Sequence, residues 1–271
     1  MKRSWYASPY AVWMVLFTVV PVLLVLYYAF TGPDGQPTLE NFGDFLQPVY
    51  LNVLWNSIWM AAVCTVICLL LGYPAAMFLA SKDFSKYQSL LVLFILPMWM
   101  NFLLRTYAWM SLLEDTGLIN QFLSWLGLPK MQMLYTEGAV MLGMVYNFIP
   151  FMILPVYSVM KKMDTRIVEA AEDLGADPVR VFTRVTLPLS LPGIISGITM
   201  VFMPAATTFA IPKLMGGGKY MLFGDLIEQQ FLVSYNWNFG SSLSLIMMVL
   251  IMISIGLMKH WDPDGQGGGL F

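Results

Sequence analysis

The sequence has few charged residues and hardly any cysteine or histidine. Of its 271 residues 11% are charged and 58% are hydrophobic, with two cysteines and one histidine, whereas about a quarter of the residues of an ordinary soluble domain are charged. So little charge argues against a water-exposed surface over most of the chain. It also argues against nucleic acid as a partner. A single helical bundle in a membrane is the simplest interpretation.

The cysteines and the histidine do not indicate a disulfide framework, an enzyme site or a metal site. Cys64 and Cys68 lie four residues apart in an apolar run, so a helix places both on one face as packing residues. His260 stands alone near the end of the sequence. The sequence therefore predicts no catalytic residue, no metal ligand and no cofactor bound by this chain.

Long apolar runs, by contrast, are abundant. A helix needs about 20 mainly apolar residues to cross the hydrocarbon core of a bilayer. The sequence predicts an all-α integral membrane protein with six transmembrane helices and a flexible tail at 262–271. The six segments that meet the length requirement are Pro9 to Phe30, Val53 to Ala80, Ser89 to Met110, Gly138 to Met160, Leu189 to Ile211 and Ser241 to Met258.

The basic residues predict the orientation of these spans. The set of loops that includes both termini holds ten of the 14 lysines and arginines, and loops rich in these residues stay in the cytoplasm. Both termini are therefore predicted to be cytoplasmic. The opposite loops hold eight carboxylates against four cations, which suits a cationic solute. The alternative is that this excess of carboxylates has no function, because the outer loops of any multi-span membrane protein contain few lysines and arginines.

The most polar stretch, Lys161 to Thr186, lies between the fourth and fifth predicted spans. It predicts a hairpin of two short helices, with Asp164 and Asp177 as N-caps and Gly175 ending the first helix. An apolar stripe along the first helix makes it amphipathic. Such a hairpin can lie on lipid, pack under its own bundle or insert into a groove on a partner protein.

This hairpin resembles the EAA loop of importer permeases of the ATP-binding-cassette (ABC) family. The resemblance is carried by Glu169-Ala170-Ala171, Gly175 and the final Leu187-Pro188, with Val185 where isoleucine is usual. It implies the type I importer permease fold, also called MetI-like, with cytoplasmic coupling helices that dock into the ATPase. The coupling hairpin is then 161–187, and Leu187-Pro188 marks a stiff joint with the fifth span.

The chain has no ATPase motif of its own. A phosphate-binding loop needs Gly-x-x-x-x-Gly-Lys followed by Ser or Thr. The nearest approach, Gly216-Gly217-Gly218-Lys219, is followed by Tyr220. ATP and Mg are therefore expected to be used by a separate partner ATPase, which the resemblance implies to be a dimer.

The resemblance extends over nearly the whole chain to spermidine/putrescine permease subunits of the B type. It implies a polyamine as the solute, although relatives that move other solutes have similar motifs. The segments that carry it are Gly72-Tyr73-Pro74, the run from Pro97 to Trp109, and Leu214 to Lys219 followed by Gln230-Phe231.

Polar and aromatic side chains in the third predicted span are candidates for the substrate path. On a helix Asn101, Arg105 and Trp109 form one stripe, and an arginine in a span should face a cavity or an acid. Trp99, Tyr107 and Trp109 can hold alkylammonium groups by cation-π attraction, or they belong to the aromatic belt at the membrane surface. Arg105 would repel a polycation and is assigned a structural or gating role.

The outer end of the fifth span is a candidate gate. Phe209 and Lys213 lie four residues apart, and Glu228 follows beyond a glycine-rich turn. We expect an aromatic plug and an ion pair between Lys213 and Glu228. A solvated pair that contributes nothing is the alternative.

These patterns together predict half of the translocation pathway of an alternating-access importer in the bacterial plasma membrane. The implied partners are the ATPase, a second permease subunit, an extracytoplasmic substrate-binding protein and membrane lipid. An ion-coupled secondary transporter is the main alternative, but it requires acids buried within the spans. Asp and Glu are almost entirely in loops. A membrane-embedded enzyme is disfavoured because the sequence contains no catalytic cluster.

Overall fold

The computed structural model describes residues 8–81, 96 and 98–261. Within these ranges the regular secondary structure is helical, apart from one antiparallel bridge between Thr31 and Pro37. The helices are α1 (Ser8–Met14, the π-helical turn Val15–Val19 and Val20–Ala29), α2 (Glu40–Phe45), α3 (Pro48–Ala80), α4 (Phe102–Leu113), α5 (Leu118–Trp125), α6 (Glu137–Lys162), α7 (Thr165–Asp173), α8 (Pro178–Thr207), α9 (Ala210–Met215), α10 (Phe223–Leu232) and α11 (Trp237–Trp261). The prediction of an all-α protein is confirmed.

Five helices in this part of the chain, α1, α3, α6, α8 and α11, are long and apolar enough to cross a membrane. They match five of the six predicted spans to within several residues, except at the two ends of the fifth. The third predicted span, Ser89 to Met110, lies partly outside the described residues, and its described portion includes the start of α4. The tail at 262–271 also lies outside them.

The centre of the bundle is formed by α3, α6 and α8, which pack closely because glycines face a buried methionine. Met152 of α6 is fully buried. A Cβ at Gly72 of α3 would lie 3.0 Å from Met152 Cγ, and a Cβ at Gly197 of α8 would lie 2.6 Å from Met152 Sδ. Small residues thus allow the helix backbones to approach, as is common between helices in membranes.

Two asparagine side chains fix the end of α1 to the rest of the bundle. Asn41 Nδ2 donates to Ala29 O (3.3 Å) and Thr31 O (3.0 Å), and Asn238 Nδ2 donates to Thr31 O (2.7 Å). The last carbonyls of a helix have no partner within it. These amides satisfy carbonyls at and just beyond the end of α1 and hold it against α2 and α11.

The fifth span differs from its prediction at both ends. The second hairpin helix is not a separate element, because it continues through a π-helical turn, Phe182–Thr186, into a single 30-residue helix. At the other end the helix stops at Thr207 rather than Ile211. The helix ends because Thr208 is extended (ψ 141°). Pro212 lies in the first turn of α9, where its missing N–H removes no helical hydrogen bond.

Candidate functional site

The polar hairpin between α6 and α8 has the caps that its sequence predicts. Asp164 Oδ1 accepts from Arg166 N (3.0 Å), and Asp177 Oδ1 accepts from Arg180 N (2.7 Å). These bonds satisfy N–H groups that a helix leaves unpaired at its start. They set where α7 and α8 begin.

Gly175 ends α7 in a Schellman motif. Its φ is +79°, Gly175 N donates to Glu172 O (2.8 Å), and Ala176 N donates to Ala171 O (3.1 Å). This is the bonding pattern of the motif, whose left-handed residue is usually glycine because a Cβ is disfavoured there. Nothing lies within 4 Å of a Cβ built at Gly175, so the requirement for glycine is conformational rather than steric.

The surface of α7 is left open. None of its residues is buried. Ile167, Leu174 and Val179 are 47%, 89% and 70% exposed, while Glu169 and Ala170 are exposed and Ala171 is half-buried. The first helix of the hairpin, α7, therefore does not pack under its own bundle. The hairpin presents apolar side chains outward.

The second arm of the hairpin contacts the core near the predicted joint. Phe182 packs edge-on against the ring of Tyr73 of α3, with the ring centroids 5.9 Å apart. Leu187 is half-buried against the core, and Pro188 is exposed within the continuous helix α8. A continuous helix therefore joins the second arm of the hairpin to the span.

A cavity of about 340 Å³ lies beside the break between α8 and α9. Helix α4 contributes one charged side chain to it, and α6 contributes an amide and two aromatic rings. The lining includes Phe102, Arg105, Asn147, Phe148, Phe151 and Phe209. Of the predicted path and gate residues, the structure brings Arg105 and Phe209 together here.

Arg105 is 8% exposed, and its Nε and Nη1 atoms have no hydrogen-bond partner. Its Cζ atom lies 6.0 Å from the centroid of the Tyr146 ring, which is within the range of a cation-π contact. Trp109 packs edge-on against Tyr146 at 5.4 Å. Arg105 thus faces a cavity, as expected of a charge in this segment.

Asn147 is a site residue that the sequence reasoning missed. It is 4% exposed and its Nδ2 donates to Gly143 O at 2.8 Å. Its Oδ1 atom is buried without a partner. The available signal was an isolated amide in an apolar span, since polar groups inside a membrane are costly. Asn147 lines the cavity, and its oxygen has no donor among the described residues.

Three other predicted path residues lie elsewhere. Asn101 is the N-cap of α4, where its Oδ1 accepts from Leu103 N (2.8 Å). Trp99 and Tyr107 are 83% and 50% exposed and are not among the residues lining the cavity. Arg105 and Trp109 of the expected stripe both contact Tyr146, but of Asn101, Arg105 and Trp109 only Arg105 is among the residues lining the cavity.

The predicted ion pair between Lys213 and Glu228 is present. Lys213 Nζ lies 2.9 Å from Glu228 Oε1 and 2.8 Å from Oε2. This hydrogen bonding raises the pKa of Lys213. Asp225, one turn before Glu228 on α10, is 7% exposed. Its burial, and next the charge of Glu228, raise the pKa of the Asp225 carboxyl, and Lys213 partly offsets this.

A bundle of long apolar helices, with a mainly apolar cavity that contains Arg105 and Asn147 and with an exposed helical hairpin joined to one span, is typical of a membrane transport subunit. The chain belongs to the family of binding-protein-dependent transport system inner membrane components, whose family model matches residues 72–264. This family confirms the predictions of an ABC importer permease and of a transport subunit rather than an enzyme. It also establishes a multi-pass protein of the inner membrane.

Curated relatives cover most of the chain. The spermidine/putrescine transport system permease protein PotB of Haemophilus influenzae is 43% identical over 90% of this chain and 88% of its own length. The PotB protein of Escherichia coli K12 is 39% identical over 92% of this chain and 93% of its own length. The E. coli inner membrane ABC transporter permease protein YdcU is 29% identical over 82% of this chain.

Solved structures show the same fold. A bacterial alginate ABC transporter, in complex with an alginate pentasaccharide-bound periplasmic protein, superposes with a TM-score of 0.78 at 16% identity. The match covers 96% of this chain and 94% of that chain. The methionine ABC transporter MetNI, in an inward-facing conformation, has a TM-score of 0.58 at 16% identity over 78% of this chain. The predicted type I importer permease fold is confirmed.

Proposed function

We propose that the chain is the permease subunit of an ATP-driven importer of polyamines such as spermidine and putrescine, and forms half of the translocation pathway. The observation that carries this proposal is identity of 43% and 39% to two spermidine/putrescine permease proteins over about 90% of both chains. The excess of carboxylates in the predicted outer loops supports a cationic solute.

A separate ABC ATPase dimer uses ATP and Mg and docks on the hairpin that contains Glu169, Ala170, Ala171 and Gly175. The open apolar surface of α7 supports this assignment, because an amphipathic helix binds by inserting its apolar side chains into a groove. Leu187 and Pro188, inside the continuous helix α8, carry the displacement into the span. With this docking, the hairpin and both termini are cytoplasmic.

Two further partners complete the pathway. A second permease subunit supplies the other half, and an extracytoplasmic binding protein delivers the solute, as the family description of binding-protein-dependent transport suggests. Lys213, Glu228 and Phe209 then lie at the outer mouth as a gate. Trp99 and Tyr107 are exposed enough to contact lipid, the partner subunit or the solute on its way.

Inside the cavity, Asn147 and the aromatic rings contact the solute. An ammonium group donates to the unpaired Oδ1 of Asn147, and alkylammonium groups are attracted to aromatic faces such as those of Phe148 and Phe151, which line the cavity. Hydrogen bonds to charged groups contribute about 1.5–3 kcal/mol. The substitution Asn147→Leu should therefore raise the KM for spermidine about tenfold or more. The matched control is Asn52→Leu, the same change at an exposed position of α3.

The proposed solute is tested by competition. Cells that lack their own polyamine importers are given this chain with its neighbouring ATPase, second permease and binding protein, and uptake of labelled spermidine is measured. We expect excess unlabelled spermidine or putrescine to suppress uptake, and methionine or an alginate oligosaccharide to leave it unchanged. Uptake that never exceeds that of cells without the transporter would reject polyamine as the solute.

A further inference from the structure

Arg105 is a buried cation without a counterion. None of the ion pairs in the described part of the chain includes it, and two of its guanidinium nitrogens have no hydrogen-bond partner. A charge taken out of water without a partner is strongly disfavoured. The face of Tyr146, 6.0 Å away, compensates only a small part of this cost.

The cavity that Arg105 lines is open at its rim. Phe102 and Phe209, two aromatic residues that line it, are 42% and 44% exposed. A charged wall in the third predicted span should not open onto lipid, because ionisable groups within membrane spans face the interior of the assembly or a water-filled path. We therefore expect the open side of the cavity to face the translocation pathway and the subunit on the other side of that pathway.

The cavity also lacks an acid. No aspartate or glutamate is among the described residues that line it. An uncompensated guanidinium there would repel each ammonium group of a passing polyamine. None of the described residues supplies a counterion that removes this repulsion, and in the proposed importer the second permease subunit is the protein across the opening.

We propose that Arg105 binds a carboxylate side chain of the second permease subunit and forms a buried ion pair between the two halves of the pathway. The inference rests on the proposed function, since that function supplies the second subunit and the cationic solute. The planar guanidinium suits a carboxylate because its donors match both oxygens. The pair leaves Asn147 Oδ1 and the aromatic rings available to the solute.

The proximity of Arg105 to a carboxylate of the second permease is tested by cross-linking, without any transport assay. Arg105→Cys is combined, one at a time, with cysteine at each Asp and Glu of the partner's membrane spans. The purified complex with its ATPase is treated with a short bifunctional thiol reagent, because an arginine–carboxylate pair holds its two Cα atoms farther apart than the about 7 Å that a direct disulfide allows. We expect a cross-linked permease pair for one partner acid. The blank is the chain without Arg105→Cys, whose Cys64 and Cys68 are 0% exposed. Absence of a cross-link at every partner acid would overturn the proposal.

The need for the positive charge of Arg105 is tested by measuring uptake of labelled spermidine. Arg105→Gln leaves the partner carboxylate unpaired and should lower uptake at least about 30-fold, as for truncation of one side of a buried charge pair. Lys130→Gln, which removes an exposed cation, is the matched control and should stay within about twofold of wild type. Replacing the cross-linked partner acid by its amide, Asp by Asn or Glu by Gln, in the Arg105→Gln variant should restore most of the uptake.

The outcomes separate this inference from the proposed function. If the wild-type complex takes up no spermidine, the polyamine assignment fails, and the cross-link alone still decides whether Arg105 meets a partner acid. If spermidine is taken up and Arg105→Gln behaves like Lys130→Gln, the ion pair is rejected while the proposed function stands. Equal assembly of both variants with the ATPase, seen by size-exclusion chromatography, shows that a loss of uptake is not a loss of folding.

Discussion

The hydroxyl of Tyr73 on α3 lies 3.0 Å from the hydroxyl of Ser190 on α8, and both residues are buried. Ser190 Oγ donates to Leu187 O (2.9 Å), so the Tyr73 hydroxyl is the donor to Ser190. The ring of Tyr73 also packs on Phe182 in the π-helical turn. One residue of α3 thus contacts both the hairpin arm and the base of the span that continues from it.

Removing this hydroxyl should weaken the link between hairpin and bundle. Tyr73→Phe keeps the ring on Phe182 and loses the hydrogen bond, at a cost of about 0.5–1.5 kcal/mol. We expect a lower thermal unfolding midpoint in detergent and less solute moved per ATP hydrolysed. Tyr27→Phe, at an exposed tyrosine, is the control. If adding Ser190→Ala to Tyr73→Phe gives the sum of the single effects, the two residues do not act as a pair.

Gly175 should be required for its backbone conformation. Gly175→Ala places a Cβ in the left-handed region, which costs about 1–2 kcal/mol. It should therefore weaken ATPase binding about 5- to 30-fold through a smaller population of the docking conformation. Gly175→Asn should have a milder effect, because asparagine adopts this conformation more readily. Affinity is measured by titrating the purified ATPase against the permease pair. Equal affinities of the alanine variant and wild type would reject this role.

The pair of Lys213 and Glu228 should be energetically coupled in transport. Lys213→Met and Glu228→Gln each leave one charge unpaired, so each is expected to change the rate of spermidine uptake. The double variant should lie closer to wild type than the product of the two single effects. The lysine side chain is 51% exposed, so the coupling should weaken as salt is added. Strict additivity would show that the pair has no function in the gate.

Asp225 should make stability depend on pH. Burial raises its pKa in the folded protein, so the folded state binds the proton more tightly than the unfolded chain does. Stability is then lowered at neutral pH and regained as the pH falls through the raised pKa. Asp225→Asn should raise the thermal unfolding midpoint at pH 7 and reduce the gain on acidification. Asp34→Asn, at an exposed position, should leave the profile unchanged, and an identical response of both variants would contradict the prediction.

The local features of the hairpin were predictable because they depend on neighbours in sequence. Caps at Asp164 and Asp177 and a left-handed glycine at Gly175 follow from the backbone groups that a helix leaves unpaired. The length of the apolar runs in the sequence likewise identified five long helices. The continuity of α8 was not predictable, because Leu187-Pro188 is equally compatible with a break or with the first turns of a helix.

The cavity was harder to predict because its wall is assembled from distant segments. Arg105 stood out as a charge in an apolar run, but its contact with Tyr146 depends on how α4 packs against α6. Asn147 has no distinguishing sequence neighbours, and its unpaired oxygen is visible only in three dimensions. Asn101 was assigned to the path because spacing alone does not distinguish an N-cap from a residue within a helix.

The central claim is that ATP hydrolysis by a separate subunit drives polyamine import through this chain. Its most direct test is accumulation of labelled spermidine in proteoliposomes that contain both permeases and the ATPase, with ATP enclosed and the loaded binding protein outside. We predict accumulation that requires hydrolysable ATP and is reduced with Gly175→Ala. Accumulation that is the same without ATP, or that follows an imposed ion gradient instead, would contradict the account.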